Sequence, residues 1–287
     1  MTSNAGVILT VFAALRGTAQ YIPAARLRFF SPDDPEGLIQ FRYGRNWRHH
    51  PQAYPFDPVR LPLANRSFET RGFEGNLGVI GDALPDAWGR KVLEYETEGR
   101  SVSFPEILSY STGWQRAGSL EFAEGEVDEL AKKPSGSMDL DLLYKMVQKV
   151  ENNEPLPEEW ERLLRQASPL GGARPKATLT KNNKEWIAKF PDRNDLNNKS
   201  LIELATLRLA KLAGIETPDT KAVEVGNRHA LLVERFDRTN KACQAYLSMA
   251  TTCGLTRTND RKGYPLFADE LRRYSASPVA DENALFR

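Results

Sequence analysis

Cysteine is scarce, with only Cys243 and Cys253 in 287 residues. These two thiols, ten positions apart with no histidine nearby in sequence, offer neither a disulfide framework nor a metal-ligand pattern, so a reducing cytoplasm is the expected setting. An excess of charge is also missing, because 39 basic and 38 acidic side chains leave a net charge of +1. No global field exists to hold nucleic acid or a membrane, and any contact with DNA is expected to run through a partner protein. Long hydrophobic runs are absent. The most apolar stretch, GVILTVFAAL from Gly6 to Leu15, is too short to span a bilayer and lacks the basic flank of a secretory signal, so it reads as a first β-strand. Neither a low-complexity tract nor an internal repeat occurs.

The chain is long enough for two modest domains, with residues 1–130 and 139–287 as the expected division and a polar linker containing KKPSGS between them. The first part is β-rich and turn-rich. LIQFRY (Leu38 to Tyr43) is a strand, and prolines at 51, 55, 58 and 62 interrupt regular structure after it. His49 and His50 have no carboxylate or cysteine at ligand spacing and are expected in a solvated loop. In NLGVIGDALPDAWGRKVLEYE, Pro85 is expected to open a helix whose apolar stripe is Ala87, Trp88, Val92 and Leu93. Further helices are expected over Pro105 to Tyr110, Asp139 to Val150 and Pro157 to Gln166, with a short strand at SLEFA.

What is present and chemically pointed is SPLGGARPKATLTKNNKEWIAKFP, from Ser168 to Pro191. Gly171 and Gly172 can turn backbone N–H groups toward an anion, with Lys176 a few residues on; the same pair also suits a plain hairpin turn. Neither the Walker pattern nor a Rossmann fingerprint fits, since no Gly-Lys-Ser/Thr follows and a strand succeeds the glycines. Lys189 ends the apolar strand Trp186 to Phe190, and a cation there asks for an anionic partner such as a nucleotide phosphate. Beyond it Ser200 and Glu203 have capping-box spacing, and Leu201, Leu204, Ala205, Leu209 and Leu212 form a helical stripe expected to be core, ending at Gly214. Glu203 either completes that cap or pairs with Lys189. A hairpin, TKAVEV and HALLVERF around Gly226-Asn227, leads to ERFDR. Lysine strand, helix glutamate, hairpin and exit segment follow the order of a protein-kinase N-lobe, or of a generic α+β domain with solvated charges.

SPLGGARPKA, WIAKFP, ELATLRLAKLAGIETPD and HALLVERFDR, with FRYGRNW, YPFDPVRLPL and NLGVIGDALPDAWGR upstream, resemble the HipA-type serine/threonine kinase toxins of bacterial type II toxin–antitoxin systems. The resemblance covers nearly the whole chain. It implies an α+β architecture: a β-rich N-terminal subdomain with helices, a kinase-like N-lobe and the beginning of a truncated C-lobe. It implies ATP with Mg2+ as cofactors in the intact family, with weak ATP binding at most in this chain, phosphates held around Gly171, Gly172, Ala173 and Arg174 with Lys176 and Lys189, and adenine beside Glu234, Arg235 and Phe236. Glu203 would orient the lysine, and Ser168 stands where the family autophosphorylates, placing charge where ATP phosphates should lie. Implied partners are a helix-turn-helix antitoxin, which carries the DNA binding, and a protein substrate of the aminoacyl-tRNA synthetase class. One departure is large. The family's catalytic and magnesium-binding aspartates would fall beyond Arg287, and Asp260, Asp269 and Asp281 sit in a polar stretch without the pattern of that loop, where solvated loop residues are expected. Without those groups the chain alone is expected to transfer no phosphate. A catalytically dead module that engages an antitoxin or a kinase subunit is the alternative.

Overall fold

The computed structural model describes residues 6–34, 36–72, 77–110, 116–127, 130, 139–167, 174–239, 242–255 and 263–287. Among them the fold is α+β, with antiparallel sheets and ten helices.

Strands β1 (Val7–Ala14), β2 (Tyr21–Phe29), β3 (Leu38–Tyr43), β4 (Ser67–Arg71) and β5 (Leu120–Glu124) form one sheet in the order β4-β3-β2-β1-β5. Alternation places Leu9, Val11 and Ala13 in the first core, where Phe41, Tyr43, Trp47, Tyr54 and Phe56 join them. Edge-to-face contacts order these rings, Phe41 and Tyr43 having centroids 4.8 Å apart at 88°. Pro23 is tolerated inside β2 because the register slips there. Val11 faces Ala25 while Phe12 faces Pro23, so Ala24 is the extra residue of a β-bulge. Four helices lie between β3 and β5 in sequence, α1 (Arg45–Arg48), α2 (Gly78–Gly81), α3 (Ala87–Glu96) and α4 (Phe104–Tyr110).

After α5 (Leu140–Glu151) and α6 (Glu158–Ala167) come β6 (Lys176–Lys181), β7 (Lys184–Lys189), α7 (Lys199–Leu212), β8 (Thr220–Val225) and β9 (Arg228–Glu234). The four strands form a second sheet in the order β6-β7-β9-β8. Asn182 and Asn183 take positive φ (54° and 59°) and close the β6–β7 hairpin, a conformation that asparagine tolerates. Leu143, Met146, Val147 and Val150 of α5 pack with Trp186, Ala188 and Phe190 in a second core, which Trp88 and Val92 of α3 also enter. The chain ends in β10 (Arg238–Thr239), β11 (Ala242–Cys243), α8 (Met249–Thr252), α9 (Tyr264–Tyr274) and α10 (Pro278–Phe286).

Several expectations are corrected. Pro85 does not open α3: Asp86 is the cap, its carboxylate accepting from Gly89 N at 2.8 Å, so the proline precedes the cap. Ser200 caps nothing either. Asn198 accepts from Leu201 N at 3.1 Å, and the helix starts one residue before the serine. The apolar stripe of α7 is not core, because the helix rests on β8 and β9 along a narrow line through Ser200 and Leu204. Leu209 and Leu212 are 65% and 85% exposed, and Leu201, Ile202 and Ala205 are exposed with them. His49 terminates α1, with its Nδ1 2.8 Å from Arg45 O. Asp269 and Asp281 lie in α9 and α10 rather than in loops, while Asp260 lies outside the described residues. The segment LSMATTCGL packs against the first part of the chain. Leu247 joins the first core, Thr251 is buried beside Gly78, and Ser248 N donates to Asp82 Oδ2 at 2.8 Å.

Candidate nucleotide site

Antiparallel pairing sets Lys176 of β6 directly opposite Lys189 of β7, so both side chains leave the same face of the sheet. Two ammonium groups side by side repel, and each is given a carboxylate. Lys176 Nζ is 2.9 Å from Asp86 Oδ2 at the start of α3, and Lys189 Nζ is 2.5 Å from Glu203 Oε1 in the second turn of α7. Because Asn198 caps α7, Glu203 is free of the helix end and reaches across to the strand. The two lysines differ in access. The Lys176 side chain is 4% exposed and that of Lys189 is 32% exposed, so Lys189 is the cation a solvent-borne ligand can meet. Burial lowers the Lys176 ammonium from its usual range, and the hydrogen bond to Asp86 works against that fall.

Arg174 makes a two-pronged contact with Asp195, one arm at 3.0 Å. That hydrogen bond raises the arginine and lowers the aspartate, each from its ordinary value. Ser168, Gly171, Gly172 and Ala173 lie outside the described residues. At the far end of β9, Lys184 holds Glu234 at 2.6 Å and Asp219 at 3.2 Å. The backbone N–H groups of Glu234 and Arg235 are already engaged, donating to Asp219 O and Glu185 O at 2.9 Å each. Phe236 is 66% exposed, its ring tilted against Tyr246 with centroids 5.9 Å apart.

The Arg235 side chain points away from solvent into a buried polar knot that sequence reasoning missed. Asp237 receives four hydrogen bonds: Arg235 Nε at 2.9 Å and Nη2 at 2.8 Å, Arg238 Nη1 at 2.8 Å and Gly118 N at 2.9 Å. Both arginines also donate to Arg116 O, at 2.6 and 2.9 Å. The knot ties the end of β9 to the segment entering β5. Burial alone would push the Asp237 carboxyl up, but the Arg235 hydrogen bond and the charges of both arginines hold it below the usual range. Glu121, with its carboxylate 3.9 Å from Arg116 Nε, goes the other way: burial outweighs the arginine and raises it to about 7. In the sequence the alternating charges of ERFDR are the visible trace of this knot, whereas Asp86, Asp195 and Gly118 carry no local mark of their roles.

Residues 168–287 match the HipA-like C-terminal domain family. Over 214 residues the chain is 28% identical to the serine/threonine-protein kinase toxin HipA of Shewanella oneidensis, an alignment that covers 69% of this chain and 45% of that protein. Residues 168–287 therefore belong to the HipA-like C-terminal domain family. The HipA relative is the longer protein, and the chain spans less than half of its length. A chain of the Shewanella oneidensis MR-1 complex of HipA, HipB and operator DNA shares the fold, with a TM-score of 0.60 over 96% of this chain and 67% of that one at 20% identity. Among the described residues no helix is long and apolar enough to cross a membrane.

Proposed function

We propose that this chain carries the nucleotide-holding part of a serine/threonine kinase toxin, with β6 to β9 and α7 acting as a kinase-like N-lobe. The observation that carries it is the Lys189–Glu203 pair, a strand lysine held at 2.5 Å by a carboxylate from the following helix. In kinases that arrangement keeps a cation aimed at ATP phosphates. The donor set suits the role, because Lys189 is partly accessible while its neighbour Lys176 is tied to Asp86. Lys189 and the backbone from Gly171 to Arg174 would hold the phosphates, and the Glu234 to Phe236 segment would face the adenine. ATP supplies the transferable phosphoryl group when bound. Lys189 would neutralise its charge, and Glu203 would hold the ammonium in place. Among the described residues no three His, Cys, Asp or Glu side chains cluster as a resident metal would need, so magnesium is assigned no ligands.

The substrate is proposed to be a translation-linked protein of the aminoacyl-tRNA synthetase class, and the restraining partner a HipB-like helix-turn-helix antitoxin that mediates contact with DNA. Phosphoryl transfer is proposed to need catalytic residues outside this set. Thermal unfolding with and without ATP tests the nucleotide reading: a rise in midpoint that is smaller in Lys189→Ala supports it, and no rise in the native chain, or an equal rise in both, contradicts it. A second reading, a binding module that engages an antitoxin or a kinase subunit without catalysis, is favoured by the exposed leucines of α7.

A further inference from the structure

We propose that the cleft between β2, β3 and α1 binds a small, multiply charged phosphate ester of nucleotide size, at a site separate from Lys189. The cavity holds about 590 Å³, within the range of small-ligand sites. Four guanidinium groups line it (Arg26, Arg42, Arg45 and Arg48) against the single carboxylate of Glu126, leaving an excess of three positive charges in a chain whose net charge is +1.

Their placement is mutually repulsive, which a bound anion would relieve. Arg26 and Arg42 are directly opposite across the β2–β3 ladder, where like charges destabilise a sheet. Arg45 and Arg48 stand one turn apart on α1, where like charges also repel. Only Arg26 has a charged partner, Glu126 at 2.8 Å; among the described residues Arg42, Arg45 and Arg48 form no ion pair. The nearest acceptor to Arg42 is the Asn65 amide oxygen at 3.4 Å, and Arg48 Nε is buried with no hydrogen-bond partner. Planar guanidinium forks match phosphate oxygens two at a time, so a phosphate or diphosphate answers this arrangement where a single carboxylate would not.

The backbone is shaped to the same end. The bulge at Ala24 bends β2, and Gly44 N donates to Ala24 O at 2.8 Å, which fixes the chain as it enters α1. Bulges recur beside binding sites because they re-aim a strand. Here Pro23, Ala24 and Ala25 form an apolar wall beside the arginines, suited to the organic part of the ligand. A duplex would need cations spread along a backbone, which this localised cluster does not provide.

The test is calorimetry of the full chain with pyrophosphate, carried out in Lys189→Ala so that the proposed ATP site does not contribute. Expected are one site per chain, affinity that falls with salt, at least tenfold weaker binding in Arg42→Gln/Arg45→Gln, and ADP binding at least as tightly as pyrophosphate. Both substituted side chains are exposed, so that variant should unfold at or above the parent temperature without ligand, which separates lost binding from lost folding. Absence of pyrophosphate binding, equal affinity in the double variant, or displacement of pyrophosphate by equimolar duplex DNA would each overturn the proposal. None of these results bears on whether Lys189 holds ATP.

Discussion

Replacing Asp237 with alanine should be among the most damaging single changes in the chain. Its carboxylate accepts four hydrogen bonds between two arginines whose side chains are almost wholly buried. Removing it leaves Arg235 and Arg238 without their shared counter-ion in a site that water does not reach. Truncating one partner of a buried ion pair costs about 3–5 kcal/mol, because the remaining charge loses its compensation. At about 2–4 °C per kcal/mol for a chain approaching this size, the thermal midpoint should fall by roughly 6–20 °C. Asp237→Asn keeps the shape and an acceptor for Gly118 N, and should fall in between. The control is Asp269→Ala, whose pair with Arg272 is exposed on both sides and should cost less than about 1 kcal/mol. Differential scanning calorimetry of the four proteins decides the matter. An Asp237→Ala midpoint within about 2 °C of the parent would show that the arginines find other partners and that the knot does not hold β9 to the β5 segment.

Stability should also depend on Glu121 in a definite direction. Its folded-state carboxyl is raised from 4.5 to about 7, so the folded chain binds the extra proton, and stability declines as pH rises from about 4.5 to about 7. The decline should be on the order of 3 kcal/mol and should be absent in Glu121→Gln, as read by urea unfolding across that window; parallel profiles would contradict it. Glu203→Gln should weaken ATP binding less than Lys189→Ala, since it loosens the lysine without removing it, and calorimetry on both variants shows the order. Replacing the exposed Leu209 and Leu212 by glutamate should reduce self-association in sedimentation velocity without lowering the thermal midpoint, whereas a marked loss of stability would mean that the stripe is covered.

Periodicity and turn chemistry made most elements readable. LIQFRY is β3 residue for residue, Asp139 caps α5, and the β8–β9 hairpin turns at Gly226. What failed was whatever depended on a distant partner. The stripe of α7 has helical spacing and leucines, yet spacing gives only a face, not what covers it; packed on β8 and β9, the helix buries only Ser200 and Leu204. Capping was misplaced by one or two residues in both α3 and α7, since Asp86 and Asn198 compete with the neighbouring Pro85 and Ser200. The Lys189–Glu203 pair was readable as one of two alternatives, the other being a capping role for Glu203, because both lie in strongly patterned elements. The burial of Lys176 against Asp86 was not, because 90 residues separate the two.

The central claim is that Lys189, oriented by Glu203, meets nucleotide phosphate. Isothermal titration of the native chain and of Lys189→Ala with ATP tests it most directly. Loss of one charge-assisted contact of about 1.5–3 kcal/mol predicts roughly 10- to 150-fold weaker binding in the variant. Equal affinity in the two proteins would contradict the account.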